Sequence, residues 1–186
     1  MIWRSLFLLL SMMRSSAIAE FIQRSSAEFI EFVRAMAPGL GVVACCCLWG
    51  IDTYRDVKKS LLSTKCSELL LLVKEAHMGI GKVPEDVVFC LNLLMSDDAM
   101  SYQQEGLQAL LRHFSDDLLS ATQDALLSHQ LRKPRNNEES PSDSAGTVLS
   151  ERESDKQDAR IAQLRSIRWM AKRLKSLLEG LSDKSD

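Results

Sequence analysis

Ala35–Ile51 reads A-M-A-P-G-L-G-V-V-A-C-C-C-L-W-G-I, seventeen residues without a charge between Arg34 and Asp52. Whether this stretch lies in lipid or in protein decides the architecture around it. Its length is at the short end of the roughly 17–25 residues that cross a bilayer core as a helix. Pro38 suits a first helical turn, where an N–H has no intrahelical acceptor. Ala37, Gly41 and Cys45 recur at four-residue spacing, which lets a second helix approach closely. Trp49 stands where an interfacial anchor belongs. The expectation is a transmembrane helix over 35–51. The alternative is a buried soluble helix, or a Pro38-Gly39-Leu40-Gly41 loop leading into a short one. Cys45, Cys46 and Cys47 lie near a charged boundary and are candidates for palmitoylation. Arg55, Lys58, Lys59 and Lys65 follow the stretch, whereas Arg24 and Arg34 precede it. A span would therefore place 52–186 on the cytosolic or equivalent face.

Outward toward the N-terminus, residues 1–34 read as a targeting and amphipathic segment. Residues 1–19 hold Arg4 and Arg14, no acid, and the apolar run Leu6–Leu10. A cleaved secretory signal, a mitochondrial presequence and a retained membrane helix all share that composition. Arg14-Ser15-Ser16-Ala17 recurs as Arg24-Ser25-Ser26-Ala27, and Glu20-Phe21-Ile22 recurs as Glu28-Phe29-Ile30. Ile18, Ile22, Ser25, Phe29, Phe32 and Met36 fall on one helical face. That face implies a helix lying on a membrane or packed on another helix.

Outward toward the C-terminus, 52–133 reads as a helical bundle module. Leu62, Cys66, Leu69, Val73, Ala76 and Ile80 form one apolar stripe, with Lys58, Lys59, Lys65, Glu68, Lys74 and Glu75 assigned to other faces. Gly79 and Gly81 signal a stop, and Pro84 with Glu85 and Asp86 a new start. Val87, Val88, Leu91, Leu94 and Met95 follow as a core face. Ser96-Asp97-Asp98 and Ser115-Asp116-Asp117 head two similar segments, which reads as two separately capped helices. Residues 134–158 carry two prolines, many serines and an acidic excess, the composition of a disordered linker.

The last segment, 159–181, is a basic amphipathic helix. Leu164, Ile167, Ala171, Leu174, Leu178 and Leu181 keep 3–4 spacing, the pattern of a stripe facing a partner helix as a short coiled coil. Arg160, Arg165, Arg168, Lys172, Arg173 and Lys175 form a basic face, with Trp169 among them. The stripe could equally dock on the chain's own bundle. The basic face suits an anionic membrane, a calmodulin-like groove or RNA.

Composition narrows the function. Lys plus Arg number 23 and Asp plus Glu 25, a net charge of -2, which excludes a globally basic nucleic-acid protein. Eight glycines and four prolines are too few for a loop-rich all-β domain. Five cysteines, three of them adjacent, do not fit a secreted disulfide framework. No phosphate loop, H-E-x-x-H or zinc-spaced Cys/His set occurs, and His77, His113 and His129 stand apart. The chain is thus expected to be all-α and non-enzymatic, with no cofactor, no metal and no evident small-molecule ligand. It reads as a membrane-anchored adaptor or structural subunit that acts through protein–protein helix contacts, nucleic acid not being an expected partner. A mitochondrial membrane is the first expectation and the endoplasmic reticulum the second. The alternative is a soluble helical regulator whose basic tail binds a calmodulin-like protein, anionic lipid or RNA.

Overall fold

The computed structural model describes Glu20, Arg24 and residues 26–50, 55–77, 85–96, 104–132 and 147–182. Apart from the short connections at 36–37, 48–50 and 104, these residues are helical, with no strand among them. The helices are α1 (Ser26–Ala35), α2 (Pro38–Cys47), α3 (Arg55–His77), α4 (Glu85–Ser96), α5 (Glu105–Arg132) and α6 (Thr147–Ser182). Helix α3 packs on α5, α5 on α6, and α6 on α4. Helix α2 closes the ring by lying between α4 and α3, and α1 rests on α2.

The uncharged stretch is where expectation and structure part. Its helix is the ten residues Pro38–Cys47. At about 1.5 Å per residue that is roughly 15 Å, half the thickness of a bilayer core. No helix of the described residues is long and apolar enough to cross a membrane. The transmembrane expectation for 35–51 is corrected accordingly: the short buried helix is what forms. Pro38 opens it, and its last turn gives way to a turn at Leu48 and Trp49. Its apolar surface is sealed by protein, because Gly39 through Cys46 are all buried. The two glycines allow this. A Cβ on Gly39 would come within 2.5 Å of the Asp86 carbonyl oxygen and 3.0 Å of the Cys90 Cβ on α4. A Cβ on Gly41 would meet the Lys65 stem of α3 at 2.8 Å. Small residues do bring helices together here, and the approaching helices are the chain's own.

Burying a helix end leaves carbonyls without intrahelical donors. Helix α3 supplies donors from two lysines seven residues apart. Lys58 Nζ donates to the Leu48 carbonyl at 2.7 Å and the Trp49 carbonyl at 2.9 Å, past the end of α2. Lys65 Nζ donates to the Arg34 carbonyl at 2.9 Å and the Met36 carbonyl at 3.1 Å, where α1 ends, and to Glu68 at 2.8 Å. The cation also complements the negative end of each helix dipole. Both residues are nearly enclosed, Lys58 at 3% and Lys65 at 4% exposure, so they belong to the packed face of α3 and not to a solvated one. Arg112 repeats the device on α5. Its Nη2 donates to the Leu178 carbonyl, in the last turns of α6, at 3.0 Å.

The rest of the core follows the apolar spacing. Leu62, Cys66, Leu69 and Val73 are buried on α3, and Val87, Leu91 and Leu94 on α4. On α1 the buried residue is Val33, with Phe29 and Ile30 half-buried and Phe32 exposed, and Met36 just past its end is half-buried. The face is thus rotated from the one expected. Ile18 and Ile22 lie outside the described residues, as do Ile80, Gly79 and Gly81 of the expected helix stop. Helix α5 is one unbroken rod of 28 residues. The break expected at Ser115 is absent, because Ser115 is fully buried and its hydroxyl donates to the Arg112 carbonyl at 2.8 Å within the helix. Helix α6 begins at Thr147, inside the stretch read as a linker, whose first residues, 134–146, lie outside the described ones.

Candidate functional site: the outer face of the last helix

Helix α6 forms readily, since Leu, Arg and Lys make up half of its second half and are strong helix formers. It runs antiparallel to α5. Arg112 meets Leu178, and Lys175 Nζ donates to Asp116 at 2.7 Å. Leu164, Ile167, Met170, Ala171, Leu174 and Leu178 are buried against the bundle, and Leu181 is half-buried. The apolar stripe read as a seat for a partner helix is therefore filled by α5 and α4 of the same chain.

The opposite side of α6 is the exposed one. Arg165, Arg168 and Lys172, at i, i+3 and i+7, make one row, with Arg168 half-buried and the others exposed. Trp169, Arg173 and Leu177, at i, i+4 and i+8, make the next, and all three are exposed. The Arg173 guanidinium stands 5.6 Å from the centre of the Trp169 ring, a cation–π pairing. Trp169 keeps 59% of its surface open, large for an aromatic in a packed bundle. The other two predicted basic residues do not join this ridge. Arg160 is half-buried. Lys175 turns toward α5, where its bond to Asp116 raises its pKa above the usual lysine value, and Glu179 stands 4.0 Å away. Sequence reasoning found the cations but left out Leu177. Its 43% exposure follows from sitting one helical step outside the Leu174–Leu178 stripe.

The residues expected to face lipid line the protein interior. Gly41 and Cys45 are buried, and Ala37 is half-buried. Trp49 is buried under Lys58, whose Nζ lies 5.8 Å from the ring centre. Its Cζ2 lies 3.6 Å from where a Cβ on Gly106 would be, so the end of α2 meets the start of α5. Cys45 and Cys46 are buried and Cys47 is half-buried. Burial pushes the Cys45 thiol up to about 12, although Lys65 and Lys58 pull the other way. The Cys46 thiol is raised as well, by burial and then by its neighbouring cysteines. Cys66 and Cys90 are raised by burial too, with Cys90 and Asp86 respectively adding to it. A thiol buried and held protonated is a poor nucleophile, which bears on Cys45 and Cys46 and not on the half-buried Cys47. Among the described residues no group of three or more His, Cys, Asp and Glu could hold a metal ion. His113 is exposed on α5, and His129 is buried near its end.

No family model matches the chain, and neither a curated protein nor a solved structure matches it.

Proposed function

We propose that this chain is a non-catalytic helical adaptor that docks an anionic partner on the outer face of α6. The observation that carries the reading is the segregation of that helix. Its main apolar stripe, Leu164 to Leu178, is used up in the core, while Arg165, Arg168, Lys172 and Arg173 share the outer side with Trp169 and Leu177. Between Arg160 and Ser176 the helix has no acidic residue to neutralise them. Such a local cation excess on a chain of net charge -2 concentrates an anion at one place and not over the whole surface. A calmodulin-like groove or a zipper partner needs apolar anchors. Here the Leu164–Leu178 stripe that would supply them is already buried, and only Trp169 and Leu177 remain outside among the cations, which favours recognition led by charge.

Retention of the full chain on a sulfated anionic resin tests this reading. At low salt the wild type binds and elutes as salt is raised. Arg165→Gln/Lys172→Gln elutes at clearly lower salt, since fewer counterions are displaced. Both changes are on an exposed helical face and keep a good helix former. Equal elution of the two proteins would remove the ridge from the function.

A further inference from the structure

We infer that the anion docked by the α6 ridge is a phospholipid surface, with the cations at headgroup phosphates and Trp169 and Leu177 at the interface. This deepens the reading of the ridge as an anion-docking face and rests on it. Cations alone would suit any polyanion. The second row separates the classes, because Trp169 and Leu177 are 59% and 43% exposed on either side of Arg173. Tryptophan is enriched at the headgroup level of bilayers, where one part of the ring is apolar and its N–H is wet. A leucine beside it gains by entering the acyl boundary, whereas against a sugar–phosphate backbone it gains nothing. An alternating row of apolar, cationic and apolar residues is what a bilayer interface rewards.

Charge placement agrees. Lys175, on the flank toward α5, is paired with Asp116, while Arg165, Lys172 and Arg173 stand on the exposed side. A convex crest one helix wide meets a plane along its length. The sequence of residues 1–19 has the same chemistry, with Arg4, Arg14, no acid and a run of leucines. None of this requires a helix to cross the membrane, so the contact is a peripheral one.

Vesicle co-sedimentation of the full chain supplies the test. Phosphatidylcholine vesicles are compared with vesicles in which about a third of the lipid is phosphatidylserine. Binding to the neutral vesicles measures what the apolar residues, those of 1–19 together with Trp169 and Leu177, contribute without charge. The expected result is tighter binding to the anionic vesicles, lowered roughly thirty-fold by Arg165→Gln/Lys172→Gln, at about one charge-step of surface attraction per residue. Trp169→Ala lowers the same binding about tenfold while leaving retention on the sulfated resin unchanged. Equal binding of the wild type to both vesicles would overturn the inference. So would full binding of the double variant to anionic vesicles. If that variant also loses retention on the resin, the docking face stands and only the lipid assignment falls. Tight binding of the wild type to single-stranded RNA, abolished by the same two changes and accompanied by no preference between the vesicles, would assign the ridge to nucleic acid instead.

Discussion

Lys58→Met keeps an unbranched stem of similar length under Trp49 but removes the ammonium that the Leu48 and Trp49 carbonyls accept from. Both carbonyls sit where water has little access, so losing that donor costs about 1–3 kcal/mol. Lys65→Met removes the donor to Arg34 and Met36 and frees Glu68, which is exposed enough to return to water. A cost in the same range of about 1–3 kcal/mol is expected there. Urea unfolding followed by circular dichroism reads both. A shift below about 0.5 kcal/mol, the usual size for a surface substitution, would mean these lysines do not hold the helix ends. Their role was half legible beforehand. Lys58, Leu62, Lys65 and Leu69 keep the 4–3–4 spacing of a packed face, but a lysine in that pattern reads as solvated. What makes it a core residue is a pair of carbonyls supplied from 9 to 31 positions away, which no local window contains. Of the two glycines in close approach, Gly41 stood in the small-residue spacing and Gly39 did not, and the identity of the approaching helices depended on the same distant contacts.

At the scale of an element, α5 tests how local signals lose to packing. Ser115-Asp116-Asp117 has the chemistry of a helix start, yet Phe114 and Leu118 on either side are buried and the rod continues through. Ser115 bonds back to the Arg112 carbonyl, which a serine inside a helix does at little cost. Asp116 turns to Lys175, 59 residues away. Two substitutions distinguish a cap from an interior site. Ser115→Pro is expected to cost about 3 kcal/mol or more, because it removes a mid-helix hydrogen bond and clashes with the preceding turn. Ser115→Ala is expected to stay within about 1 kcal/mol in thermal unfolding. If the alanine variant lost more stability than the proline variant, the continuous helix would be wrong. The stripe of α6, by contrast, follows the spacing closely, with Met170 the buried residue it left out and Leu181 only half-buried, since periodicity reports which side is buried. It does not report against what, and a seat for a foreign helix and a seat on α5 have the same spacing.

Over the whole molecule, the sealed core makes stability depend on alkaline pH. Cys45 and Cys46 from α2, Cys66 from α3 and Cys90 from α4 all have thiols raised by burial above their ordinary value of 9.0, Cys45 to about 12. Unfolding returns them to water, where they ionise near 9.0. Between the two values the unfolded chain holds fewer protons than the folded one, so stability falls as pH rises. Below the unfolded value both states are protonated and the full contribution is present. It is lost progressively from pH 9.0 toward and through about 12 for Cys45. The urea midpoint should therefore be flat on the neutral side of that window and decline within it. A Cys46→Ala/Cys90→Ala variant starts from a lower midpoint, because it leaves small cavities, but declines with a shallower slope since two of the ionisations are gone. Parallel slopes for variant and wild type would place those two thiols in contact with water in the native state. That result would also reopen the assignment of α2, because its burial between α3 and α4, and not its hydrophobicity alone, is what separates a core helix from one that faces lipid.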